Sequence, residues 1–206
     1  MIEFIIGTSL AASAGLNAWM PLFLLGLADR LLPAVELPSS WAWLSSDLAL
    51  WIVGALLVLE IIADKIPALD SVNDVVQSIL RPAAGGIAFG AGAGAQTVAI
   101  DDPASFFTDN QWVPVAIGIA VALVVHIVKA TARVAANTAT GGLAAPVLST
   151  AEDGTSFVLA AAAIIVPIVA AIVLIALVIS VIVLLRRRAR RRHGARTPQT
   201  TSDIHT

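Results

Sequence analysis

The stretch "VLEIIADKIPALDSVNDVV", residues 58–76, leaves a hydrophobic run and places Glu60, Asp64, Lys65, Asp70 and Asp74 within fifteen residues. How a chain accommodates those charges decides its fold. Before them, from about Asp47 to Ala63, lies a segment of spanning character. After them, Val72, Val75, Val76 and Ile79 recur at helical spacing, opposite a polar stripe of Asp70, Asp74, Gln77 and Arg81. That periodicity predicts an amphipathic helix over 64–81, with Pro67 near its start. It lies at an interface or packs in a cavity. An unpaired charge at the centre of a bilayer costs about 2.5–3.5 kcal/mol, so Glu60 and its neighbours need partners, water or an interface. Residues 58–76 therefore read as a hinge between a span and an amphipathic helix, with charges facing a bundle or a water-filled cavity.

Composition supplies the membrane that this reading needs. Of 206 residues, 58% are hydrophobic and 13% charged, with a mean hydropathy of +0.91. A soluble domain carries about 25% charged residues. There is no cysteine, which excludes disulfides, thiol chemistry and cysteine-based metal sites. Seven of the twelve basic residues are arginines between Arg186 and Arg196. Without them and Asp203, residues 1–185 hold five basic and thirteen acidic residues. The body is acidic and the tail basic, so the expected domains are a transmembrane helical region, 1–185, and a basic, disordered cytoplasmic tail, 186–206. The arginines follow the longest apolar run, Phe157 to Leu185. A positive cluster there is retained on the cytoplasmic side and attracts anionic lipid headgroups, at about 1 kcal/mol per basic residue. A stop-transfer anchor is favoured over nucleic-acid binding, and no nucleic-acid partner is expected.

Five spans are expected along the body. Residues 2–28 are long enough to cross a hydrocarbon core of about 30 Å. Glu3 is the only charge before Asp29, whereas a secretory signal begins with positive charge, so this segment reads as a retained helix. Its middle, "GLNAWMPL", carries Asn17 and Pro21 and predicts a broken helix or a re-entrant hairpin. Trp41 and Trp43 mark an interfacial connection. The second span is about 47–63. The third, 82–100, has Gly86, Gly90 and Gly94 at four-residue intervals, leaving a bare face for close helix contact. An acidic loop follows with Asp101, Asp102 and Asp109. The fourth, 112–128, runs into His126, Lys129, Arg133 and Asn137, spaced three, four and four along one helical face. The fifth ends in the arginine tail, with Pro167 bending it.

The fold class is thus all-α, a polytopic integral membrane bundle. Two units, 47–100 and 112–185, share a span–amphipathic stretch–span plan, with an acidic stripe in the first and a basic one in the second. Five spans with the tail inside would place Lys65, Arg81, Lys129 and Arg133 outside, against the positive-inside trend. Either the tail dominates, or the first segment is a hairpin, or these charges are buried.

Three stretches, "GLNAWMPLFLLGLADR" (15–30), "EIIADKIPALDSVNDVVQSILRPAAGG" (60–86) and "HIVKATARVAANT" (126–138), resemble a family of bacterial membrane proteins known as a domain of unknown function. The resemblance covers about residues 5–150 and is most specific over Asp-Lys-Ile-Pro through Arg81-Pro82. Similar sequences often continue after Asn137-Thr138 with a Ser-Pro-Glu-Pro-like turn, where this chain has "ATGGLAAP". The resemblance implies a membrane location and no particular activity.

Two functions fit the charges. In the first, the stripes line a membrane-embedded path of a small transporter or channel-like protein. Glu60 and Asp64, one turn apart, would bind a cation or relay protons, and Arg81, Lys129 and Arg133 would hold an anionic group such as a lipid phosphate. The candidate path residues are Asn17, Glu60, Asp64, Lys65, Asp70, Asp74, Arg81, His126, Lys129, Arg133 and Asn137. In the second, a non-catalytic scaffold, Glu60 or Asp64 meets Lys129 or Arg133 only to fix helix packing. Glu60, Asp64, Asp70, Asn73 and Asp74 are hard oxygen ligands, but no HExxH, GxSxG or P-loop pattern accompanies them. No enzyme activity, cofactor or metal site is expected. The location is the inner membrane, multi-pass with a cytoplasmic C-terminus. A homo-oligomer would enclose a path that so few spans cannot, with the glycine-rich third span as a contact face.

Overall fold

A proline decides the first element boundary. The ring of Pro21 has no N–H for the carbonyl of Asn17 and would clash with it in a continuous helix. The apolar segment accordingly divides into α1 (Ile2–Leu16) and α2 (Trp19–Leu31). The structure, a computed structural model, describes residues 2–93 and 112–194, giving 67–74 and most of 180–194 by backbone course alone. All seven helices among the described residues follow in chain order. After α2 and a short 3₁₀ turn at Ala42–Ser45 come α3 (Asp47–Ala63), α4 (Pro67–Ala93), α5 (Trp112–Thr140), α6 (Ala145–Ile165) and α7 (Pro167–Gly194). Helices α5 and α6 are long and apolar enough to cross a membrane, and Ile2–Leu16 and Pro167–Ile179 are shorter apolar helices. By contacts the chain forms one compact unit, Met1–Leu174, and a second, Ile175–Thr206.

Helix α1 is the centre of the first unit. It packs on α4, α5 and α6, and Leu10, Ala11, Ala12 and Ala14 are fully buried. Its small residues let neighbours approach backbone to backbone. The most extensive pairing joins α4 to α5. A Cβ on Gly118 would lie 2.3 Å from the Gly85 carbonyl oxygen, and one on Gly85 would lie 2.3 Å from Ala122 Cβ. Only glycine fits this crossing. The expected glycine face is therefore filled within the chain. Gly86 meets Val115 and Ile119 of α5, and Gly90 meets Trp41. It is not left open as a contact face for another copy; Gly94 lies outside the described residues.

Four expected boundaries need correction. The amphipathic segment and the third span are one helix, α4, with Pro82 inside it. A proline deletes a single donor, and tertiary packing on α1 and α5 keeps the helix running. The charged stripe after the fourth span continues the same helix, so α5 carries both. The fifth span is two helices separated at Val166, and α6 begins well before Phe157. The two units therefore break at different points: the charged stretch opens α4 in the first and closes α5 in the second. Finally, α7 extends through Arg186 to Gly194, so that part of the basic tail is helical, not disordered. Asp101, Asp102, Asp109 and the residues after Gly194 lie outside the described residues.

The "ATGGLAAP" turn has a clear local role. Gly141 (φ +62°) and Gly142 (φ +89°) adopt the left-handed conformation that ends α5, and the Gly142 N–H donates to the Asn137 carbonyl at 3.0 Å. Pro146 then sits in the first turn of α6, where its missing donor costs nothing.

Large apolar residues such as Trp51, Ile79, Val134, Leu143 and Ile168 are exposed, while Glu60, Asp64, Arg81, Lys129 and Arg133 are buried. That is the reverse of a water-soluble domain.

Candidate functional site: a charge network at a helix break

The break between α1 and α2 leaves polar backbone groups without helical partners, and charged side chains from two other helices meet them. Lys129 Nζ of α5 donates to the Leu16 carbonyl at 2.7 Å. The Glu60 carboxylate of α3 accepts the Ala18 N–H at 3.1 Å through Oε2. A cation thus sits at the carboxyl end of α1 and an anion at the amino end of α2, as the helix dipoles require. Asn17 closes the break from within. Its Oδ1 accepts the N–H groups of Trp19 (3.2 Å) and Met20 (3.0 Å), capping α2, and its Nδ2 donates to Asp153 Oδ1 of α6 at 3.0 Å.

From these contacts a continuous network spreads. Arg81 of α4 donates from Nη2 to Glu60 Oε1 at 2.9 Å and to Asp64 Oδ2 at 3.4 Å. Asp64 Oδ2 also accepts from Lys129 Nζ and Arg133 Nη2, each at 3.0 Å. Three cations therefore converge on one carboxylate oxygen. Arg133 Nε reaches Glu152 Oε2 at 3.0 Å, and Lys129 Nζ lies 3.2 Å from the same oxygen. At the edge, Lys65 Nζ donates to Asp153 Oδ2 at 3.0 Å. The side chain of Lys65 is 35% exposed against 1% for Lys129 and Arg133, so the network approaches the surface there.

His126 adds a neutral link. Arg81 has donors only, so its Nη1, 3.1 Å from His126 Nδ1, makes that ring nitrogen an acceptor. The ring proton then sits on Nε2, which faces Ser78 Oγ at 3.1 Å. With His126 neutral, Lys65, Arg81, Lys129 and Arg133 balance Glu60, Asp64, Glu152 and Asp153 among the described residues, four charges against four. Burying a charge costs several kcal/mol, which attraction offsets only when partners and hydrogen bonds are in place. Here they are.

Of the residues singled out from sequence, Asn17, Glu60, Asp64, Lys65, Arg81, His126, Lys129 and Arg133 come together. Asn137 lies one turn beyond Arg133, toward the α5 terminus; it is half-buried and its Oδ1 has no hydrogen-bond partner among the described residues. Asp70, Asn73 and Asp74 belong to the first turns of α4, and their side chains lie outside the described residues. Among the described residues, no three His, Asp or Glu side chains are grouped to hold a metal ion.

Sequence reasoning missed Glu152, Asp153, Ser13 and Ser156. Ser13 Oγ donates to the Ser156 carbonyl at 2.9 Å, and Ser156 Oγ to the Ser13 carbonyl at 3.0 Å, which ties α1 to α6. A signal was present. Glu152 and Asp153 are the only acidic residues between Asp109 and Asp203, and Ser149, Asp153 and Ser156 share one helical face. With no element assigned between the charged stripe and the apolar run from Phe157, both were passed over.

The family described as "Domain of unknown function (DUF4126)" matches residues 4–187. The chain belongs to that family. The DUF4126 match contains the whole network, from Asn17 to Asp153, together with the interrupted first helix. No curated protein and no solved structure matches the chain.

Proposed function

We propose that this protein is a multi-pass membrane carrier or channel-like protein, not an enzyme, and that the charge network is the closed centre of its path for an ion or small polar solute. The observation that carries this reading is the engagement of both sides of the α1–α2 break by opposite charges, Lys129 on Leu16 and Glu60 on Ala18. Discontinuous helices whose ends point at charged groups are how many transporters build a site within the bilayer. The exposed apolar exterior suits a lipid surround, and a buried ion pair is seldom better for stability than apolar packing of the same volume. Six such buried charges are better accounted for by function. In this reading the helical arginines that begin at Arg186 lie on the cytoplasmic face of the inner membrane, against anionic headgroups.

A scaffold, in which the charges only fix packing, is favoured by one observation: the network is balanced within the chain. Reconstitution into lipid vesicles separates the two. As a carrier, the protein loses solute flux on Glu60→Gln or Arg133→Gln in molecules that still elute as folded protein. As a scaffold, it shows no flux to lose, and the exchanged pair Asp64→Lys with Lys129→Asp recovers the stability that either change alone removes.

A further inference from the structure

The three cations on Asp64 have the geometry of an anion site that is already filled. Lys129 Nζ and Arg133 Nη2 stand 3.0 Å from Asp64 Oδ2 and Arg81 Nη2 stands 3.4 Å from it, all three side chains at 1% exposure or less. The cations come from α4 and α5. The carboxylate comes from the residue just past α3, where the helix gives way to a turn: Asp64 is the C-cap, and Lys65 and Ile66 complete the connection to Pro67. Its two acidic neighbours are placed differently. Glu60 is embedded in α3 and holds the Ala18 N–H, and Glu152 sits within α6 with both its oxygens on Arg133 Nε.

We infer that the Arg81–Lys129–Arg133 cradle is a binding site for a small monovalent carboxylate, and that Asp64 occupies it as a tethered stand-in. The inference rests on the carrier reading for its physiological meaning. Charge selects the valence. Among the described residues, Arg81, Lys129 and Arg133 are balanced by Glu60, Asp64 and Glu152, so withdrawing Asp64 leaves one positive charge in excess of that set. A monovalent anion restores neutrality in a place where an unbalanced charge is expensive, and a divalent one overshoots it. Arginine favours the same choice, because its planar fork matches a carboxylate. A substrate carboxylate would thus take the contacts that Asp64 gives up, and Asp64, sitting at a joint between two helices, would pass the exchange to α3 and α4.

The test empties the cradle. Asp64→Ala removes a carboxylate and leaves a space of about that size. The purified variant in detergent is heated with rising formate, and with sulfate at matched ionic strength. A ligand that binds only the folded state raises the melting temperature with concentration. The expected result is a progressive rise of several degrees for Asp64→Ala in formate, little in sulfate, and none in wild type or in Asp64→Ala with Arg133→Gln. Equal responses to both salts, or a formate response that survives Arg133→Gln, overturn the inference. Should Asp64→Ala not fold, Asp64→Ser keeps a hydroxyl among the cations, and both are extracted with formate present. If neither yields folded protein even then, the cradle does not accept the free anion and the inference is overturned. Flux in vesicles tells this failure from that of the carrier reading. Formate rescue without solute movement by wild type leaves the cradle and removes the carrier. Solute movement without rescue does the reverse.

Discussion

Two of the helix interruptions that lie beside a proline, those at Asn17 and at Val166, have opposite surroundings. At the first, beside Pro21, Lys129 and Glu60 take up the Leu16 carbonyl and the Ala18 N–H, and Asp153 holds the side chain of Asn17. At the second, Pro167 follows Val166, whose own N–H returns to the Ala162 carbonyl at 2.8 Å, while its carbonyl accepts the Val169 N–H at 2.8 Å. Ile165, Val166 and Ile168 around it are exposed and apolar. The same local cause produces a polar centre in one place and a simple bend in the other. What differs is the company that the tertiary fold brings to the exposed backbone.

Removing one partner of the first break has the largest expected effect. Lys129→Met strips Asp64 and Glu152 of a cation and leaves the Leu16 carbonyl unpaired, which destabilises by about 3–5 kcal/mol. Thermal unfolding in detergent measures it. A loss below about 1 kcal/mol, within reach of an exposed pair, would make the two breaks equivalent. Next comes Asn17→Ala, which removes the cap of α2 and the donor to Asp153, for a loss of about 1–3 kcal/mol. Its local signature is faster hydrogen exchange at the amides of Trp19 and Met20, with those of Val169 and Ala170 unchanged. Parallel acceleration at both places would show that the cap has no special hold on the first break.

Ser13→Ala tests the seam beside the network. Hydrogen bonds between helices in a membrane average about 0.6 kcal/mol, and a double-mutant cycle with Ser156→Ala should return a coupling of that order. Smallest of all is Pro167→Ala. A substitution away from caps, charges and packed core changes stability by under about 0.5 kcal/mol, and unfolding curves should superimpose. A loss comparable to that of Asn17→Ala would reveal a role for the second break that its surroundings do not suggest.

Much of the polar centre was readable from spacing. His126, Lys129 and Arg133 lie on one face by periodicity alone, and "GLNAWMPL" announces its own interruption through Pro21. The chain carries too few charges for those near Glu60 and Asp64 to be incidental. What spacing could not reveal was the partner set. Glu152 and Asp153 follow a glycine turn that reads as a connection, and only the start of α6 at Ala145 turns them inward. Pro82 misled in the other direction, because one missing donor does not end a helix that is packed on two sides.

The sequence by itself determined an all-helical, apolar chain with a break at Asn17 and charges that had to be buried. Hydropathy, proline stereochemistry and helical period are local, and they act wherever the chain goes. Only the tertiary structure decided that Asp64 would meet three cations at once, that the glycine face would be used within the chain, and that one proline break would become polar and the other not. Those outcomes depend on contacts between residues up to 143 positions apart in the chain, and no local rule sets which helices bring their charges together.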